Sequence, residues 1–173
     1  MRGDYKHGGG EEMRRKVDSF MALCFQEKIL FLEAFFLLGW MRAAILLLPF
    51  RYLTRKCEHK KEHRECNILR EEHKRVAAEV GRAIARASGH TPWESACLAQ
   101  ALTACRMLRR RGISGVFYLG VKRDAAAGMK AHAWSRSGDV FVTGEEGYRE
   151  FTVVSAFCWE SGRERDEDGA LFR

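Results

Sequence analysis

Cys97 and His132 are the two residues whose types and spacing suit nucleophilic chemistry. A thiol attacks a carbonyl carbon once a base removes its proton, and imidazole is a common base for that step. Cys97 lies in TPWESACLAQALTACRML, residues 91–108. Thr91 reads as an N-cap and Pro92 as a first helical position, with Ser95 as a second cap one turn later. Leu98, Ala101, Leu102, Cys105 and Leu108 then recur at helical spacing. Cys97 therefore falls in the first turn, where unpaired N–H groups and the helix dipole favour negative charge. The thiolate is the reactive form of a cysteine. On spacing alone, a packing cysteine and a strand histidine account for the pattern at least as well.

His132 lies in LGVKRDAAAGMKAHAWSRSGDVFV. Residues 116–122 read as a strand, followed by an Ala- and Gly-rich loop and a second strand carrying His132 and Trp134. Ser137-Gly138-Asp139 is a tight hairpin signal, and DVFVTG and EFTVVSAF are further β-favouring runs. A Cys–His pair gains from a third group that orients the imidazole. If DVFVT pairs antiparallel with AHAWS, Glu145 returns near His132 and is the preferred acid. Asp139, at the hairpin tip, is the alternative, and an amide or carbonyl is the third case. The Cys97 backbone N–H is the natural first oxyanion donor, with Trp93 or Gln100 as the second.

The elements that must position these groups divide the chain into a helical half and a strand-rich half. Residues 17–53 are strongly apolar and read as helix, ended or kinked at Pro49. Residues 29–50 are long enough to consider as a membrane span. Glu33 and Arg42 argue against a simple one, and nine positions apart they do not pair within the helix. A core element that also offers a partner surface is the preferred reading, with interfacial membrane contact next. Residues 54–75 form a dense block of both charges, read as a solvated helix or exposed connector. Within it Cys57, His59, His63 and Cys66 match no recognised zinc spacing, so no metal is expected. Residues 76–88 form an amphipathic helix with Val76, Val80, Ile84 and Ala87 inward, ended by Gly89-His90. Arg109, Arg110 and Arg111 suit the end of the helix after it, which Gly112 stops. Helices followed by an antiparallel sheet make an α+β domain.

At 173 residues the chain suits one domain, over 17–158, with a flexible tail at 1–16 and a charged one at 159–173. A net charge of +7 suits an acidic or polar peptide or an anionic membrane surface. The basic residues do not interleave with aromatics as in nucleic-acid signatures, so no nucleic-acid partner is expected. Residues 1–16 contain no secretory apolar core, and the six cysteines lack the density of a secreted scaffold. A reduced, cytoplasmic protein is expected, with membrane association as the variant.

W-x-x-x-C-L-x-x-A-L, then L-x-x-x-G-I, L-G-V and A-H-A-W, resemble the transglutaminase-like cysteine peptidases of lasso-peptide biosynthesis. These leader peptidases are related to the C-terminal domain of the microcin-processing protein. The resemblance spans roughly residues 20–157. It implies a papain/transglutaminase-like fold, Cys97 as nucleophile, His132 as base, and an acid about a dozen residues beyond the histidine, where this chain has Gly144. It also implies removal of the leader from a precursor peptide without a cofactor, beside a standalone leader-recognition protein and a separate ATP-using cyclase. The rivals are a non-catalytic scaffold that docks to a membrane or partner, and an acyltransferase on the same fold.

Overall fold

The computed structural model describes residues 24–55, 57–60, 69–93, 96–124 and 128–160. The expected tail at 1–16 lies outside the described residues, as do Ser95, His63 and Cys66.

The apolar segment forms one long helix, α1 (Phe25–Leu47). The Glu27 carboxylate accepts from the Cys24 backbone N–H at 3.1 Å, closing the first turn. Pro49 ends it as expected, because the residue before a proline is pushed out of helical conformation. A short α2 (Phe50–Leu53) follows directly. One side of α1, with Ala34, Leu37, Leu38, Met41 and Ala44, is buried against α3 (Glu71–Ser88) and α4 (Cys97–Arg110). Glu33 reaches from α1 to the far end of α4, with Oε2 2.6 Å from Arg111 Nη2 and Oε1 3.2 Å from Arg110 Nη1.

In the charged block, expected as a solvated helix or exposed connector, the described residues correct the helical alternative, and residues 61–68 lie outside the described residues. Glu58–Lys60 forms a short strand, β1, and the helix begins only at Glu71. An open sheet edge presents unpaired N–H and C=O groups, and β1 satisfies some of them. Charge spacing carries no trace of that edge. The start of the helix carrying Cys97 is corrected too: α4 starts at Cys97, with Ala96 as N-cap and no side-chain cap. Thr91 Oγ1 instead lies 3.0 Å from the Ser88 carbonyl and 2.9 Å from that of Trp93, so its hydroxyl closes the turn after α3.

The sheet also contains β2 (Gly115–Asp124), β3 (Gly128–Ser137), β4 (Val140–Thr143) and β5 (Thr152–Trp159). Its order is β1-β5-β2-β3-β4, antiparallel throughout. The fold is the expected α+β arrangement of helices on an antiparallel sheet. Trp159, assigned from sequence to the C-terminal tail, instead closes β5 and is buried, its Nε1 donating to the Ile113 carbonyl at 2.9 Å.

The core lies between the helices and the sheet face bearing Phe117, Ala133 and Phe157. Ala99, Ala101 and Ala104 are fully buried, and side chains this small let α4 sit close to its neighbours. Against β4, α3 approaches at Gly81, where a Cβ would stand 2.6 Å from the Val142 carbonyl oxygen. These contacts set the start of α4 beside the end of β4.

Candidate active site

Cys97 is the first residue of α4 and is half-buried against the core. The first intrahelical bond of α4 runs from the Gln100 N–H to the Ala96 carbonyl at 3.2 Å. The N–H groups of Cys97, Leu98 and Ala99 therefore have no partner within the helix. That is the arrangement expected of an oxyanion donor at the nucleophile itself.

His132 sits on β3 opposite Gly120 of β2. Strand alternation puts it on the side shared with Trp134, while Ala133 belongs to the core under the helices. The imidazole stacks near Trp134, with ring centroids 5.8 Å apart, and against Phe151 at 5.1 Å. Its Nε2 lies 2.9 Å from the Gly144 carbonyl oxygen. A carbonyl oxygen only accepts, so Nε2 carries the proton and donates. In the neutral ring, Nδ1 is then the lone-pair nitrogen, the form a general base requires.

Gly144 is shaped for this contact. Its φ is +70°, in the left-handed region that L side chains rarely adopt. A Cβ there would also meet the Ala133 carbonyl oxygen at 2.6 Å and Trp134 Cβ at 2.9 Å. The chain thus leaves β4 (Ser135 pairs with Thr143) by turning sharply over β3 and presenting a backbone oxygen to His132. Gly144 and Glu145 share a cleft of about 150 Å³ with Gln100, one turn into α4. Gly144 thus bonds His132 through its carbonyl and lines a cleft that Gln100 of α4 also lines, while Cys97 is not among that cleft's lining residues. Among the described residues Cys97 and His132 are not hydrogen-bonded to each other. Catalytic hydrogen bonds are often long in a free enzyme and tighten with substrate.

The candidate acids fall elsewhere. Glu145 is exposed, and among the described residues nothing bonds its carboxylate to His132. Asp139 is at the hairpin tip, where its Oδ2 lies 3.0 Å from Lys74 Nζ. The Lys74 ammonium holds the Asp139 carboxyl below its usual value. Sequence reasoning located the return of the chain to within one residue and preferred a side chain there, with a carbonyl or an amide as the third case. A backbone oxygen leaves only an indirect signal, a glycine where an acid is expected.

Trp93 packs on α1, its ring 5.6 Å from Phe35 and its Cζ2 3.0 Å from a Cβ built on Gly39. Its Nε1–H is buried and has no partner among the described residues. Of the zinc candidates, Cys57 Sγ lies 3.8 Å from Cys105 Sγ, and His59 Nε2 lies 3.4 Å from Ser155 Oγ. Among the described residues no group of three or more potential ligands could hold a metal ion. His90 is the expected turn residue, its Nδ1 2.7 Å from the Arg86 carbonyl and its ring edge-on to Phe31.

Residues 42–156 match the family described as the transglutaminase-like superfamily, more than half of the chain. No curated protein and no solved structure matches.

Proposed function

The chain belongs to the transglutaminase-like superfamily, and on that premise we propose that it is a cysteine peptidase removing the leader from a lasso-peptide precursor. The superfamily's chemistry is of cysteine hydrolase or acyl-transferase type. The observation that carries the reading is the His132 Nε2–H bond to the Gly144 carbonyl, which leaves Nδ1 as the basic nitrogen. Cys97, at the bare N-terminus of α4, is the nucleophile.

His132 takes the Cys97 proton as sulfur attacks the carbonyl carbon at the leader–core junction. The Cys97 N–H stabilises the oxyanion, and Trp93 Nε1–H, a buried donor with no partner among the described residues, is the preferred second group, ahead of Gln100. Protonated His132 is held by the Gly144 oxygen, a weaker acceptor than a carboxylate, and returns the proton to the leaving amine. A water, activated by the same imidazole, then hydrolyses the thioester. Ring closure falls to a separate cyclase, and the leader is gripped by a standalone recognition protein. The exposed stripe Ile29, Leu32, Phe36 and Trp40 of α1 is the docking surface for that protein or for a membrane. The helix is also long and apolar enough to cross a membrane, with a third of its apolar window buried in the fold.

The test is mass spectrometry of precursor incubated with this protein and the leader-binding protein. Leader and core with a free carboxylate at the cut are the expected products. A core joined to an added amine would indicate acyl transfer instead. No turnover, with no selective labelling of Cys97 by a peptide electrophile, would favour the scaffold.

A further inference from the structure

The other end of α4 borders a larger cleft, of about 590 Å³, into which four arginines and two thiols open. Arg55, Arg106, Arg109 and Arg110 supply its charge. Arg110 is shared with Glu33. Arg55, Arg106 and Arg109 have no carboxylate partner among the described residues. Cys57, half-buried just before β1, and Cys105, buried on α4, place their sulfurs 3.8 Å apart in the lining. The two residues are 48 positions apart in sequence, so only the fold brings them together.

We infer that this cleft is a thiol–disulfide exchange site, which takes an anionic low-molecular-weight disulfide of the glutathione type and closes a Cys57–Cys105 bridge. A cleft lined by one sign of charge concentrates the opposite sign, and the volume admits a small peptide. The two sulfurs need to approach by less than 2 Å to reach the bonded distance of about 2.05 Å, within the reach of side-chain rotation.

The chemistry divides the roles. The hydrogen bond from Cys105, with the Arg109 charge helping against burial, holds the Cys57 thiol below its ordinary value. Cys105 is pushed up by its hydrogen bond with Cys57, then by burial and the Cys57 charge. Cys57 thiolate therefore attacks first. Its sulfur bonds to one sulfur of the ligand, the ligand's S–S bond breaks, and one thiolate leaves and is protonated by solvent. In the mixed disulfide Cys57 offers Cys105 neither a thiolate to hydrogen-bond nor a charge to oppose its ionisation, so of the causes that raise Cys105 only burial remains. Cys105 loses its proton to water, attacks Cys57 Sγ and releases the second small thiol. Two protein thiols are oxidised and one small disulfide is reduced to two thiols.

The test uses the full chain at neutral pH with graded ratios of glutathione disulfide to glutathione, quenched by alkylation and mapped by mass spectrometry. Exposed Cys24 is the internal reference. A parallel series uses hydroxyethyl disulfide, which is uncharged. The Cys57–Cys105 bridge is expected as the first disulfide, and Cys105→Ala should trap glutathione on Cys57. Normalised to Cys24, glutathione disulfide should react at Cys57 roughly tenfold faster than the uncharged reagent at low salt. That preference should shrink several-fold in high salt or in Arg106→Gln/Arg109→Gln. Cys57 and Cys105 staying reduced while Cys24 is modified would overturn the exchange site. Equal normalised rates for the two reagents would overturn the anionic ligand.

Discussion

The two ends of α4 carry cysteines eight residues apart on one helix, and their surroundings differ in kind. Cys97 stands at the N-terminus, half-buried, beside three N–H groups without helical partners and one turn before the Gln100–Gly144 cleft. Cys105 is buried, held against Cys57 and followed by cations that complement the helix C-terminus. One end has backbone N–H groups without helical partners, the donors that the proposed oxyanion role uses. The other has a second sulfur in place of a base. Helix position supplies the polarity, and the neighbouring element supplies the different partners on which the two proposed thiol roles rest.

The largest expected effect separates the two ends directly. Cys97→Ala should lower precursor cleavage by at least about 10³-fold with the circular dichroism spectrum unchanged. Cys105→Ala should cleave near the wild-type rate while losing about 1–2 kcal/mol of stability, read by denaturant unfolding. If Cys105→Ala also abolished cleavage, the two thiols would belong to one site and the contrast would fail.

His132→Ala should cost about 10²–10⁴-fold in single-turnover cleavage, the range for a lost general base. Cleavage by the variant at the wild-type rate would detach His132 from the chemistry.

Gly144 sharpens the same question about the base. Gly144→Ala forces a side chain into a left-handed backbone and against the Ala133 oxygen, at a cost of about 1–3 kcal/mol. Cleavage should fall about tenfold or more as the imidazole loses its anchor. Glu145→Gln and Asp139→Asn should each remain near wild type in the same assay. A hundredfold loss in Glu145→Gln would show that a carboxylate swings onto His132 during turnover and does the orienting.

The smallest effect concerns the clamp between α1 and the C-terminal end of α4. Burial would raise the Glu33 carboxyl, but Arg111 and Arg110 outweigh it and hold it below its ordinary value. A group depressed in the folded state stabilises above its unfolded pKa, and that contribution is lost as pH falls through the folded value. Stability should therefore drop in acid, and Glu33→Gln should remove that part of the pH dependence while costing about 1–2 kcal/mol at neutral pH. An unchanged acid limb in the variant would assign the dependence to other carboxylates.

Much of the secondary structure was legible because it rests on local periodicity. The amphipathic spacing of Val80, Ile84 and Ala87, the Pro49 stop, the Gly138-Asp139 turn and the alternating strands all reflect backbone rules that act within a few residues. The α+β class and the candidates Cys97 and His132 were legible for the same reason, since motif and pattern are sequence-local. Non-local contact decided the rest. The charged block surrendered Glu58–Lys60 to β5 because a sheet edge 96 to 100 residues away offered bonds that no charge pattern encodes. Helix α4 lost its Thr91 cap because that hydroxyl was used in the preceding turn. The partner of His132 is a backbone oxygen, a group every residue carries, so residue type could not single it out. Its placement required the β3–β4 register and the left-handed turn at Gly144, and the meeting of Cys57 with Cys105 required packing across 48 residues. Composition determines which groups are present, whereas direction and distance between remote groups exist only once the chain has packed.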